Sequence, residues 1–199
     1  MKTFVEIGSC YFDTLYPLLE QGWKGYMIDP VREYLDKIPH HDNLNKMEYA
    51  VTSQKLYKTP TLGLTHVAKE HYAHLDENGR KDYDGMGSTQ PFRTGLLLGK
   101  LGNYNPGDIQ TKIVPTVSLN WVIDYFKISK IDLLKIDTEG ADFDILASID
   151  LKKIEVNEIR IEHAHYDDIF TRKYLKMNGY ETQFDPNDWS TIIAKKITQ

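Results

Sequence analysis

A single cysteine, Cys10, stands in 199 residues, so an intramolecular disulfide framework is excluded and a reducing compartment is the natural setting. Cys10 has no His or Asn near it in sequence, and it reads as a small packing residue rather than a nucleophile. A concentrated basic face is also lacking. Lys and Arg number 24 against 29 Asp and Glu, for a net charge of −5, and they are scattered singly or in pairs such as Lys152-Lys153. Phosphate-tracking grooves need more than that, so nucleic acid is not expected as a partner. No apolar run approaches the length of a membrane span, and Glu6 and Asp13 break the N-terminal segment, so neither anchor nor signal peptide is read and a soluble, cytoplasmic protein is expected. The length suits one domain, 1–199, with a core large enough to hold without disulfides or metals.

The stretch Phe4-Val5-Glu6-Ile7-Gly8-Ser9-Cys10 organises the rest. A β-branched and aromatic run ends at Gly8, and apolar residues at helical spacing follow through Leu18 and Leu19, which reads as strand, tight turn and helix. Gly8 lets backbone approach a ligand where a Cβ would collide. A second strand, Lys24 to Ile28, ends in Asp29, about twenty residues on, the spacing at which an acid binds ribose hydroxyls. The turn itself is poor in glycine: Ser9, Cys10, Tyr11 and Phe12 follow Gly8, too bulky for a pyrophosphate to lie against the backbone, which disfavours a nicotinamide-dependent oxidoreductase. Glu6 would repel a phosphate but hold an ammonium group. A nucleoside carrying an amino acid fits these features, and S-adenosylmethionine is such a ligand.

Further along, Pro30 opens a helix whose apolar face is Val31, Tyr34, Leu35 and Ile38, and a third strand, Lys46 to Val51, brings Ala50 and Val51 to the same rim as Gly8 and Asp29. From 56 to 110 the pattern loosens into an insertion rich in glycine and proline, including Gly85, Gly87, Pro91, Gly95 and Gly107. It is read as a lid, with a helix over Leu62 to Leu75 closed by a turn at Asp76 to Gly79. His66, His71 and His74 lie there without the further ligands of a tetrahedral set, and no metal site is assigned. Lys112 to Val117 reads as an edge-like strand because Pro115 cannot donate, and Ser118 caps the next helix. Ile131 to Ile136 is apolar enough for a central parallel strand, and it ends at Asp137-Thr138-Glu139-Gly140, where open α/β sheets bind ligands. Another strand, Val156 to Glu162, ends at His163, a candidate general base, with His165 two residues on. A helix from Ile169 and a hairpin of Tyr180 to Phe184 with Trp189 to Ala194 close the chain.

The segment Ile131-Asp-Leu-Leu-Lys-Ile-Asp-Thr-Glu-Gly140, followed by Asp144, Ile145 and Leu146, resembles the most specific motif of the FkbM-type S-adenosylmethionine-dependent methyltransferases, D-x-x-K-I-D-x-E-G-x-E-x-x-V-L. Val5-Glu6-Ile7-Gly8 is similar to that family's glycine motif, Asp29-Pro30 to its acid-proline pair, and Ala50-Val51 to the end of its third strand. Asp142 stands where the family has Glu, and Asn120 where it has Asp. The resemblance implies a class I, Rossmann-like α/β fold: a seven-stranded, mostly parallel sheet with an antiparallel last strand and helices on both faces. It also implies O-methylation of a small-molecule or carbohydrate hydroxyl. The cofactor site is expected to comprise Glu6, Gly8, Ser9, Cys10, Asp29, Pro30, Ala50, Val51 and Asp137, and the catalytic groups Asp137, Glu139 and His163. Two alternatives share the fold: metal-assisted methylation with Asp137, Glu139 and His163 as ligands, and a catalytically degenerate binding domain.

Overall fold

The computed structural model describes residues 1–12, 14–53, 60–68, 72, 74–84, 87–89, 109–165 and 167–197. Of the residues expected in the lid, His71, Gly85, Pro91, Gly95, Gly99, Gly102, Pro106 and Gly107 lie outside these, as does Asp13.

Apolar and β-branched runs supply the strands of the main sheet: β1 (Thr3–Ile7), β2 (Lys24–Asp29), β3 (Leu44–Glu48), β7 (Lys130–Ile136), β8 (Glu155–Glu162), β9 (Tyr180–Phe184) and β10 (Thr191–Lys196). Their order is β3-β2-β1-β7-β8-β10-β9. All neighbours pair in parallel except β10, which is antiparallel to both β8 and β9. The chain therefore runs outward from β1 to β3, then resumes on the other side of β1 at β7. Alternate residues of the central strands feed two cores. Val5, Ile7, Leu134 and Ile136 pack with α3 (Leu119–Phe126), α4 (Asp142–Ser148) and α5 (Asp168–Met177). Phe4, Met27 and Leu133 pack with the 3-10 turn Tyr16–Gln21 and α1 (Arg32–Lys37). Helical elements thus cover both faces, and no helix among the described residues is long and apolar enough to cross a membrane.

Five expectations change. The helix expected after Gly8 is a 3-10 turn of six residues, Tyr16–Gln21. The third strand splits at Tyr49: Leu44–Glu48 stays in the main sheet, while Ala50–Thr52 (β4) leaves it to pair in parallel with Thr116 to Ser118 of β6 (Ile109–Ser118). The stretch from Leu62, expected as a helix, is instead strand β5 (Thr61–Val67), antiparallel to residues 109–115 of β6. Thr61, Thr65 and Val67 fit that ladder, and long-range pairing overrides a helical spacing. Asp76 to Gly79, expected as a turn, instead leads into helix α2 (Glu77–Asp84). Nor is β6 an edge: it lies between β4 and β5. Pro115 is tolerated because it pairs with Thr61 at the end of β5, and the ladder to β4 begins only at Thr116.

Two glycines with similar backbone angles separate conformation from crowding. Gly8 has φ +73° and Gly22 φ +80°, but a Cβ at Gly8 would overlap the carbonyl oxygen of Asp137 whereas one at Gly22 meets nothing within 4 Å. Urea denaturation should show Gly22→Ala costing about 1–2 kcal/mol, the left-handed penalty alone. Gly8→Ala should cost above about 4 kcal/mol. Similar losses for the two variants would contradict the close approach at Gly8.

Candidate active site

Three strand ends are laced together where the sheet order reverses. The amide of Asp137 donates to the carbonyl of Ile7 (3.0 Å), and the amide of Gly8 donates to the carbonyl of Ile28 (2.9 Å). The bareness of Gly8 thus makes room for protein backbone at this junction. The turn continues through Cys10 at φ +46°, and the Cys10 amide donates to Asp29 Oδ2 (2.8 Å) while the Val31 amide donates to Oδ1 (2.8 Å). Asp29 is 4% exposed. Burial pushes its carboxyl from the ordinary 3.8 up to about 6, outweighing the two amide hydrogen bonds that favour the charged form.

A crevice opens over this junction. Of the expected cofactor residues, Gly8, Cys10, Asp29, Pro30, Ala50 and Val51 line it, and Asp137 and Glu139 join them from the loop after β7. Glu6 and Ser9 do not. Glu6 is 0% exposed; its Oε2 accepts from the Leu15 amide (2.9 Å) and its Oε1 lies 3.4 Å from Lys135 Nζ. The ammonium it holds is the protein's own. Lys135 Nζ also lies 3.9 Å from Asp137 Oδ2, so a single lysine links the buried carboxylate to the one on the crevice wall. Ser9 is buried beneath the turn.

The loop Asp137-Thr138-Glu139-Gly140 is fixed from behind by Asp142, which is fully buried. Its Oδ1 accepts from the amide (2.7 Å) and the hydroxyl (3.0 Å) of Thr138, and its Oδ2 accepts from the Gly140 amide (2.9 Å). Burial nonetheless raises its pKa. The constraint forces Glu139 to φ +53° and Gly140 to φ +117°. From the other side, the Ser88 hydroxyl donates to the Glu139 carbonyl (2.8 Å), and Ser88 exchanges backbone hydrogen bonds with Thr65 of β5.

Beyond β8 the two histidines part. His163 Nε2 donates to the carbonyl of Trp189 (2.9 Å) and its ring packs near Phe184, so it turns toward the β9–β10 hairpin and does not line the crevice. His165 instead places Nε2 2.8 Å from Glu139 Oε2 and 3.6 Å from Glu162 Oε2. Glu162 is pushed up to about 10, first by burial and then by the negative charges of Glu139, Asp137, Asp142 and Asp188. Sequence reasoning missed Tyr34, Tyr49, Leu64, Gly87 and Thr89, which also line the crevice. Tyr34 was visible as the apolar face of α1; Leu64 and Gly87 carry no local signal, since β5 reaches the crevice only through its pairing with β6.

A family model described as Methyltransferase FkbM domain matches residues 4–182. No curated protein and no solved structure matches the chain.

The raised pKa of Asp29 predicts a pH signature. The unfolded chain releases this proton near 3.8 and the folded one near 6, so ionisation favours the unfolded state, and the penalty grows as pH rises from about 4 to about 6 and is constant above. Asp29→Asn loses one amide hydrogen bond but carries no such penalty. The stability margin of the wild type over Asp29→Asn should therefore narrow by about 2 kcal/mol between pH 4 and pH 7, read from urea melts. A margin that is flat or widens over that range contradicts the buried, raised carboxyl.

Proposed function

The chain belongs to the FkbM methyltransferase family, and we propose that it is an S-adenosylmethionine-dependent methyltransferase with a class I, Rossmann-like fold, acting on a hydroxyl oxygen of a small molecule or carbohydrate. The observation that supports this reading is the convergence of Gly8, Asp29, Ala50-Val51 and Asp137 on one crevice at the carboxyl ends of β1, β2 and β7. Ligands of open α/β sheets sit where the strand order reverses.

The residues present fit the cofactor. Asp29 spends one lone pair of each oxygen on a backbone amide, and the remainder suit a ribose diol. Ala50, Val51 and the Tyr49 ring offer apolar surface for an adenine. The ammonium of the methionine portion falls to Asp137 rather than Glu6, because both lie within reach of Lys135 but Glu6 is fully buried while the Asp137 side chain is 37% exposed on the crevice wall. When bound, S-adenosylmethionine supplies a methyl group already activated by its sulfonium. The chain then has to align an acceptor oxygen with that methyl, take up one proton and exclude water. Glu139, on the crevice wall and hydrogen-bonded to His165, is the proton acceptor in this reading. His163, turned toward Trp189, is not. The stretch 56–110 would belong to the same domain, and its described part supplies Leu64 and Gly87 to the wall.

Isothermal titration tests the reading. Wild-type protein should bind S-adenosylmethionine, and Asp137→Asn should weaken it about tenfold or more, the worth of a charge-assisted hydrogen bond. Binding of NADH instead would overturn the cofactor assignment, and silence toward both would favour a degenerate binding domain.

A further inference from the structure

We propose that Glu139, Glu162 and His165 form a binding site for one divalent cation of the manganese or zinc type. Their ligating atoms all lie within 4.8 Å of one another. Nε2 of His165 stands 2.8 Å from Glu139 Oε2 and 3.6 Å from Glu162 Oε2. Donors at right angles around an ion, each about 2.1 Å from it, are about 3 Å apart, so the three atoms could share an ion after only small adjustments.

A second observation points to a missing ligand. Glu162 Oε2 is sealed from solvent and has no hydrogen-bond partner among the described residues. The bond between His165 and Glu139 accounts for those two groups without an ion, whereas Glu162 Oε2 has only the 3.6 Å approach of His165 Nε2, longer than a hydrogen bond. A cation on the three atoms would satisfy it. The donors come from two separate strand ends, and Glu139 is already held by Ser88 and by the loop that Asp142 fixes, so the site is largely preorganised.

The donor set selects the ion. Two carboxylates with one imidazole and no thiolate are too hard for copper(I). The nitrogen moves the preference from magnesium and calcium toward manganese and zinc. Compared with the ligand set of the metal-assisted alternative read from sequence, Glu162 and His165 take the places of Asp137 and His163. Three protein donors leave coordination positions open. The cation's use, holding and acidifying an acceptor hydroxyl at the wall that Glu139 forms, rests on the methyltransferase reading; the binding site does not.

The test is titration of the full chain with Mn²⁺, no cofactor present, followed by the paramagnetic resonance of free Mn²⁺ and by calorimetry. Wild type should take up one Mn²⁺ per chain. Glu162→Gln and His165→Gln should each weaken binding by about tenfold or more, while Asp150→Asn, at the opposite end of β8, leaves it unchanged. Absence of saturable uptake by the wild type overturns the proposal, and so does uptake that neither substitution weakens. If His165→Gln does not fold, the wild-type and Glu162→Gln titrations still decide. Because S-adenosylmethionine is absent, failure here leaves the cofactor reading standing, and failure of cofactor binding leaves this one standing.

Discussion

The approach of the Gly8 backbone to the Asp137 carbonyl sets the spacing of the two halves of the sheet. Parallel strands end on the same side, and at β1 and β7 the connections depart in opposite directions, leaving a crevice between them. Its width is decided by how near the loop after β7 can come to the turn after β1. A side chain at position 8 would push that loop outward, and Glu139 with it. The same turn carries Cys10, whose amide fixes one oxygen of Asp29. Asp29 and Glu139 are therefore positioned by one contact.

Around this junction the chain buries carboxylates in quantity, and it meets their desolvation cost in different ways. Glu6 is matched by an ammonium and an amide. Asp29 and Asp142 are matched by amides, and in Asp142 by a hydroxyl as well. These hydrogen bonds order backbone, so the cost of burial is offset by rigid turns on which the crevice depends. From the first turn of α4 the Asp142 carboxylate reaches both Thr138 and Gly140. Glu162 differs in the charge around it: its Oε2 makes no hydrogen bond, lies 3.6 Å from His165 Nε2, and four acids press on it.

The parts legible in the sequence are those decided within a few residues. Ile131 to Ile136 had to be a doubly covered strand because its residues are apolar almost throughout, and the Asp185 to Asp188 turn declares its hairpin. The rest depended on which distant segments become neighbours. Glu6 reads as a lone carboxylate in a strand until β1 and β7 are adjacent and Lys135 falls opposite it in register. Leu62 to Val67 carries a spacing that suits a helix, and only the partner strand beginning at Ile109 decides otherwise. His163 and His165 cannot be ranked from sequence, because strand alternation stops at Glu162 and the path of the following backbone determines which ring faces Glu139.

The second, three-stranded sheet bears directly on the site. The chain passes into it without a break, since β4 follows β3 after only Tyr49, and β6 leads straight into the Ser118 hydroxyl that caps α3 by accepting from the Trp121 amide. Within it, Thr65 and Ser88 pair through both backbone amides, and the Ser88 hydroxyl reaches across to the Glu139 carbonyl. Glu139 sits at φ +53°, a conformation that costs a non-glycine residue about 1–2 kcal/mol and persists only where its surroundings over-determine it. Those surroundings come from two sources: Asp142 within the loop and Ser88 from outside it. The insertion thus holds Glu139 as well as walling the crevice with Leu64, and rearrangement of β5 would be felt at Glu139 and then at His165 through their shared hydrogen bond.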